Sequence, residues 1–272
     1  MNMVAISTLS PHHRSVLTGV HQRCIFQPVW CERSSTSPHS RCVKLIRNPW
    51  ATLTRRCRKM LEGVRDARRD RAVLKALGEF SSSVEAAVDV RRLPHNQVNN
   101  DETATLIRQY QPDVIVTSGS PILKPNIFSI PRLATINVHW GLAPAYRGEN
   151  TLFWPLYFGD YENIGVTIHQ IDKGIDTGPV FAHGWPALSP ADDELTLFAK
   201  SAQIAAELLS DVLARLSRNQ SIGGRVAKGH GRLFLERDRT LVHNAAYWSK
   251  RKMGRLKLPR TSARKVIYVE ET

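Results

Sequence analysis

Short β-branched runs alternating with helix-like stretches constrain this chain most. Residues 3–8 (MVAIST) form an apolar run, and Ser10-Pro11 follows as an N-cap with proline at the first helical position. Residues 24–29 predict a second strand, residues 33–39 (RSSTSPH) a loop, and residues 51–77 a long charged helix. Residues 84–90 predict another strand, and Asn100-Asp101 caps a helix running through Gln109. Residues 112–117 (PDVIVT) read as a buried strand closed by a Ser118-Gly119 turn, with further strands at 134–138 (ATINV) and 165–171 (GVTIHQI). This rhythm predicts an α/β, Rossmann-like fold, a mostly parallel sheet with helices on both faces. The segment Ser189-Pro190-Ala191-Asp192 predicts a capped start for a last long helix. It extends to about Leu216, with Ala205, Leu208, Leu209, Val212 and Leu216 at core spacing. Residues 232–235 and 265–269 read as short strands in a basic tail. The chain thus divides into a main unit, residues 1–222, and a basic C-terminal extension, residues 223–272.

A chain of 272 residues suffices for one good core and a small appendage. No apolar run approaches the ~20 residues of a spanning helix, so a soluble protein with no membrane partner is expected. The net charge of +14 concentrates in residues 47–75 (Arg55, Arg56, Arg58, Lys59, Arg65, Arg68, Arg69, Arg71) and again in residues 225–265. Such flanks suit phosphate or nucleic acid, but no recognition motif accompanies them, and they read first as solvated surface. Cys24, Cys31, Cys42 and Cys57 include no C-x-x-C pair, so no metal site and reduced thiols are expected. The compartment expected is the cytoplasm; the acid-poor first thirty residues are also faintly like an organelle transit peptide.

Sheets of this class bind ligands beyond the carboxyl ends of their strands, where the strand order switches. Three Gly/Pro-rich turns lie there: SGSPIL after Thr117, WGLAPAYRG after His139, and DKGIDTGP after Ile171. Asn137 and His139 stand two apart on a strand and share one face. An amide and an imidazolium held together can stabilise a developing oxyanion. Asp176, in another of these turns, can raise the imidazole pKa and accept protons. The set suits acyl-type transfer without an enzyme nucleophile. Taken singly, an Asn-x-His at a strand end or an Asp before Thr-Gly-Pro is an ordinary turn feature.

In order and spacing, PDVIVTSGSPILKP, INVHWGLAPAYRG and GDYENIGVTIHQIDKGIDTGPV resemble the motifs of the folate-dependent formyltransferase family, over roughly residues 111–216. The resemblance implies N10-formyltetrahydrofolate as donor and co-substrate, and catalytic roles for Asn137, His139 and Asp176. It implies a pterin seat formed by Ser118, Gly119, Pro121 and Ile122 with Asp172, Gly174, Ile175 and Thr177. Leu142, Ala143 and Pro144 would wall the formyl end. His169 matches a family position and either orients the site or is a satisfied core histidine. Arg147 pins its loop or reaches an acceptor anion, with the structural role preferred; Trp140, Phe153 and Trp154 read as packing. The segment STLSPHH lacks the glycines with which ribonucleotide-using members cradle phosphate. The tail of about fifty residues is short for the C-terminal barrel of the transfer-RNA enzymes. FWPLYFGD is closer to members acting on small amines. The expected activity is therefore formyl transfer to a small amine or hydroxylamine, such as an amino sugar or modified ornithine. The alternatives are methionyl-tRNA formylation, hydrolysis of the formyl carrier, and a non-catalytic nucleic-acid-binding module.

Overall fold

The alternation is built as an eight-stranded sheet. The computed structural model describes residues 1–8, 10–18, 25–32, 49–77, 90–218, 220, 222, 224–225 and 231–269. The sheet strands are β1 (Asn2–Thr8), β2 (Ile25–Glu32), β3 (Arg91–Pro94), β4 (Val114–Ser118) and β5 (Ala134–His139). Beyond them, β6 (Tyr146–Gly148) and β9 (Arg232–Phe234) form a separate pair, and β7 (Val166–Gln170), β8 (Val180–Trp185) and β10 (Arg264–Ile267) complete the sheet. Its order is β10-β8-β7-β5-β4-β1-β2-β3. The pairings from β3 across to β5 are parallel, and those from β5 to β10 antiparallel.

Each central strand is apolar on both faces because helices cover both. Met3, Ala5, Val114 and Val116 face one core with the helices α1 (Pro11–Thr18), α2 (Pro49–Leu77) and α6 (Glu194–Ser217). Val4, Ile6 and Ile115 face a second core with α3 (Asp101–Gln109) and the single turn α4 (Pro125–Phe128). The period-2 geometry of a strand makes this division. Between α4 and α6, the short helix α5 (Phe153–Phe158) carries Phe153 and Trp154 into the first core. Full burial of a Leu, Val or Ile side chain stabilises by roughly 1.5–3 kcal/mol. Leu208, Leu209, Val212 and Leu213 therefore make α6 the main cover of that face.

Several elements differ in detail from the sequence expectation. The long helix starts at Glu194, not near Pro190. Asp193 is its N-cap, accepting from the Thr196 N–H (2.9 Å) while its own N–H donates to the Thr196 hydroxyl (2.7 Å). Asp192 bonds back to the Ser189 N–H and closes a turn instead. Residues 33–39 and 84–89 lie outside the described residues, and the strand after them is Arg91–Pro94. The strand β8 and the helix α7 (Leu241–Lys252) had no clear sequence signal. His183 and Gly184 interrupt the apolar run of β8, and the face of α7 that packs carries only Tyr247 in the core. The expected 223–272 extension supplies Tyr247, Leu256 and Leu258 to the first core and β10 to the sheet. Of the cysteines, Cys31 and Cys57 are free thiols, and burial pushes the Cys31 thiol up to about 12.

The strand order switches at β1. β2 and β3 are laid down on one side of it and β4 on the other. The Ser7 hydroxyl donates to the Ser118 carbonyl across this point (2.6 Å).

Candidate active site

Antiparallel pairing of β7 with β5 sets Asn137 directly opposite His169, and His139 opposite Thr167. Asp176 reaches the same place from the loop between β7 and β8, at a left-handed backbone position (φ 50°). That loop is closed by Asp172, whose carboxylate accepts from the Gly174 N–H (2.9 Å) and the Thr177 hydroxyl (2.7 Å). Four polar side chains meet as a result. Asp176 Oδ2 lies 3.3 Å from His139 Nδ1, and Oδ1 lies 3.3 Å from His169 Nε2. Asn137 Nδ2 donates to Asp176 Oδ1 (3.4 Å) and to His169 Nε2 (3.2 Å).

The partners assign proton positions. His169 Nδ1–H donates to the Gln170 carbonyl (2.8 Å), so in the neutral ring Nε2 is the acceptor that Asn137 requires. The Thr117 hydroxyl donates to Asn137 Oδ1 (2.9 Å), which turns the amide nitrogen inward. His139 Nε2–H donates to the Tyr146 carbonyl (2.9 Å), and Nδ1 faces the carboxylate. Only the imidazolium form of His139 satisfies both oxygens at once.

Electrostatics divides the labour. Burial works to raise the Asp176 pKa, but His139, His169 and the Gly148 N–H outweigh it and hold the carboxyl well below the usual range. Asp176 is therefore a fixed anion. Burial lowers the His139 pKa, with only 4% of the residue exposed, and Asp176 opposes that shift. The cluster thus holds a carboxylate beside a ring whose protonation is readily altered by added charge.

Backbone groups support the set. The Gly148 N–H donates to Asp176 Oδ2 (2.7 Å). Gly148 itself has φ 87°, and a Cβ there would come within 2.1 Å of the Phe234 carbonyl across the β6–β9 pair. We expect Gly148→Ala to lower stability by about 2 kcal/mol or more, through backbone strain and the clash. A reduced urea midpoint with an unchanged m-value would show it; an unchanged midpoint would contradict it. The next turn is held from below: Thr167 accepts from the Ala143 N–H (3.0 Å) and donates to Gly141 O (2.6 Å). His183 Nε2–H donates to the Ala143 carbonyl (2.8 Å).

Of the expected carrier-binding residues, Leu142 and Ala143 are buried beneath this turn, and Pro144 continues it. Ser118 is buried at the end of β4, Gly119 follows at φ 64°, Pro121 is buried, and Ile122 presents 74% of its surface. Asp172, Gly174, Ile175 and Thr177 build the loop that delivers Asp176, and the Asp172 carboxylate is spent inside it. His169 joins the cluster directly. Arg147 donates to the Gly231 carbonyl (3.2 Å), a loop-pinning contact. Trp140 stacks on Phe198, and Phe153 and Trp154 are buried as packing. Thr117, the Gly148 N–H and the Tyr146 carbonyl were not foreseen: backbone donors and acceptors leave no side-chain signature in a sequence, and Thr117 reads there as one more β-branched strand residue.

Residues 59–213 match the family described as "Formyl transferase". Methionyl-tRNA formyltransferase of Chlorobium chlorochromatii (strain CaD3) is 32% identical over 144 residues, covering 52% of this chain and 46% of that protein. The chain spans about half the length of the curated relatives it matches. A sugar N-formyltransferase from Shewanella sp FDAARGOS_354 superposes with a TM-score of 0.57 at 15% identity, covering 91% of this chain and 86% of that one. Glycinamide ribonucleotide transformylase 1 from Symbiobacterium toebii superposes with a TM-score of 0.54 at 16% identity, covering 83% and 93%. These two superpositions concern the fold.

Proposed function

The chain belongs to the formyl transferase family, and we propose that it moves a formyl group from N10-formyltetrahydrofolate to an amine or hydroxylamine acceptor. The observation that carries this reading is the convergence of Asn137, His139, His169 and Asp176 at the carboxyl end of β5. Among the described residues, no Ser or Cys nucleophile is bonded into that cluster. Direct attack of the acceptor on the formyl carbon fits such a set. The donor contributes an already activated one-carbon unit, and the protein contributes position and electrostatics. Exposed Ile122 beside Gly119, with the backbone of the Asp172–Thr177 turn, is the apolar-and-amide lining that a flat pterin requires.

As the formyl oxygen gains charge, the inward Asn137 amide N–H and His139 Nε2–H are the donors that would receive it. Each would exchange a present partner for the stronger, charged acceptor: Asn137 its long contact to Asp176 Oδ1, and His139 the Tyr146 carbonyl. Asp176 faces Nδ1 and stabilises the imidazolium during that step.

The acceptor favoured is a small amine, on the sequence grounds of the FWPLYFGD segment. A transfer-RNA acceptor is the second reading. It draws on the identity of the matched relatives and on Arg56, Lys59, Arg68, Arg71 and Lys75, all exposed along α2. Turnover of N10-formyltetrahydrofolate against a nucleotide-linked amino sugar, hydroxyornithine and Met-tRNA, with a no-acceptor control, separates these. Turnover with one small amine alone is the expected result. Turnover with Met-tRNA that weakens steeply with salt supports the second reading. Turnover without any acceptor means hydrolysis.

A further inference from the structure

We infer that His183, oriented by Tyr268 just past β10, is a positioning residue that sets the turn 141–146 and with it the formyl end of the donor site. The inference rests on the folate reading of the preceding subsection. The turn serves that site in two ways. Leu142, Ala143 and Pro144 are the residues expected against the formyl end, and the Tyr146 carbonyl is the group on which His139 Nε2–H rests. The placing of one short turn therefore governs both the wall offered to the donor and the direction of an oxyanion-binding N–H.

A row of side chains on neighbouring strands holds the turn. His139 of β5 lies opposite Thr167 of β7, and Thr167 lies opposite His183 of β8, so all three share one face of the sheet. Each is spent on the backbone of the turn. His139 donates to the Tyr146 carbonyl (2.9 Å). Thr167 takes the Ala143 N–H (3.0 Å) and donates to the Gly141 carbonyl (2.6 Å). His183 donates from Nε2 to the Ala143 carbonyl (2.8 Å). Ala143 is thus clamped at both of its backbone polar groups. It is buried, and without His183 its carbonyl would have to turn toward another donor, because an unpaired buried acceptor is costly.

Tyr268 aims the ring. A carbonyl only accepts, so the neutral imidazole carries its proton on Nε2 and leaves Nδ1 as an acceptor. The Tyr268 hydroxyl donates to that Nδ1 (2.8 Å), and its ring meets the imidazole edge-on with centroids 5.6 Å apart. β10 brings it there. Val266 lies opposite His183, and Tyr268 follows two residues later, with its own N–H bonded to the Phe181 carbonyl (2.8 Å). Burial, opposed by the Ala143 carbonyl and joined by Arg225, lowers the His183 pKa, so the ring is neutral at pH 7 and this tautomer persists.

A neutral ring bonded to backbone brings no charge to the site. What it supplies is direction, and loss of direction has its own signature. A turn that relaxes away from β8 presents a misplaced wall to the donor, and affinity for the donor falls even though the protein stays folded. An imidazole that served only as packing would show its loss in the melting temperature and leave donor affinity in the folded protein unchanged.

Two near-isosteric replacements in the full chain separate the ring nitrogens. The side-chain amide of His183→Gln reaches the place of Nε2 and keeps a donor for the Ala143 carbonyl, whereas that of His183→Asn reaches only the place of Nδ1 and loses it. Calorimetric titration with N10-formyltetrahydrofolate, below the melting temperature of each variant, reads the difference. The expected Kd lies within about twofold of the parent for His183→Gln and is raised about tenfold for His183→Asn, the scale of one lost hydrogen bond. Tyr268→Phe keeps Nε2–H but frees the ring, and its Kd is expected between those two; it serves as the test if a His183 variant does not fold. Equal weakening in His183→Gln and His183→Asn would mean a merely structural histidine and would overturn the inference. Parent-like affinity in His183→Asn, or in Tyr268→Phe where that variant stands in, would do the same. A parent protein that binds no N10-formyltetrahydrofolate would instead remove the folate reading, and this inference with it.

Discussion

Asp176→Asn should reduce kcat by about a thousandfold, close to 4 kcal/mol of transition-state stabilisation, while folate binding changes little. The substituted amide keeps the shape and still accepts from the Gly148 N–H, so the loop is retained. The charge is what disappears. Asp176 is the larger of the two influences, with the Tyr146 carbonyl, that raise the His139 pKa against burial and the neighbouring His169. Without it, protonation of His139 moves to still lower pH, and the imidazolium that should hold the oxyanion becomes scarcer still at neutrality. The pH–activity profile of the variant should therefore shift to the acid side. Stopped-flow turnover across pH, with the donor's Kd measured separately, checks both parts. Full activity in Asp176→Asn would mean that the carboxylate has no part in the transfer.

Glu194→Gln should lower the melting temperature by about 10 °C at pH 7, the largest stability loss expected from a single isosteric change in this chain. Glu194 receives a bidentate contact from Arg239 (2.7 and 2.8 Å) and a third from Arg69 (2.6 Å). The Arg239 side chain is 3% exposed and packs over the Phe153 ring. Removing this carboxylate leaves the Arg239 guanidinium beside that of Arg69, whose remaining acid is Asp66 at 3.7 Å, at a cost of about 3–5 kcal/mol. Burial acts to raise the Glu194 pKa, and Arg69 and Arg239 overcome it, bringing it to about 2 from 4.5. A depressed carboxyl pKa contributes stability that is complete above the unfolded value and is lost as pH falls through the folded one. The difference between parent and variant should hence be full above about pH 5 and shrink between 4.5 and 2. Thermal melts at stepped pH read this directly. A constant difference across that window would show that lost shape, not lost charge, causes the effect.

The same cluster shows where sequence reading stopped. Arg65 and Arg69 on α2, Glu194 at the start of α6, and Glu236 and Arg239 in the tail come from three distant segments, and in the sequence Arg65 and Arg69 read first as solvated surface. In the fold, Arg65 pairs with Glu236 (2.6 Å), and the Asn150 amide donates to the same carboxylate (2.8 Å). Asn150 lies two residues beyond Gly148, so the basic tail is tied to the loop that touches Asp176. The His12–Asp70 pair was equally silent, since its two residues lie fifty-eight apart in the chain.

What the sequence determined by itself was local and periodic. β-branched runs, proline and Asx caps, and Gly-rich turns placed most strands and helices, because those choices depend on neighbours within a few residues. The spacing of Asn137 and His139 also guaranteed a shared face, since side chains alternate along a strand. The tertiary structure alone decided that β7 runs antiparallel to β5, setting His169 opposite Asn137. It alone decided the tautomers, the fixed charge of Asp176 and the burial of Glu194 between two arginines. Those properties come from desolvation and from partners distant in sequence, and neither exists until the chain has closed around them.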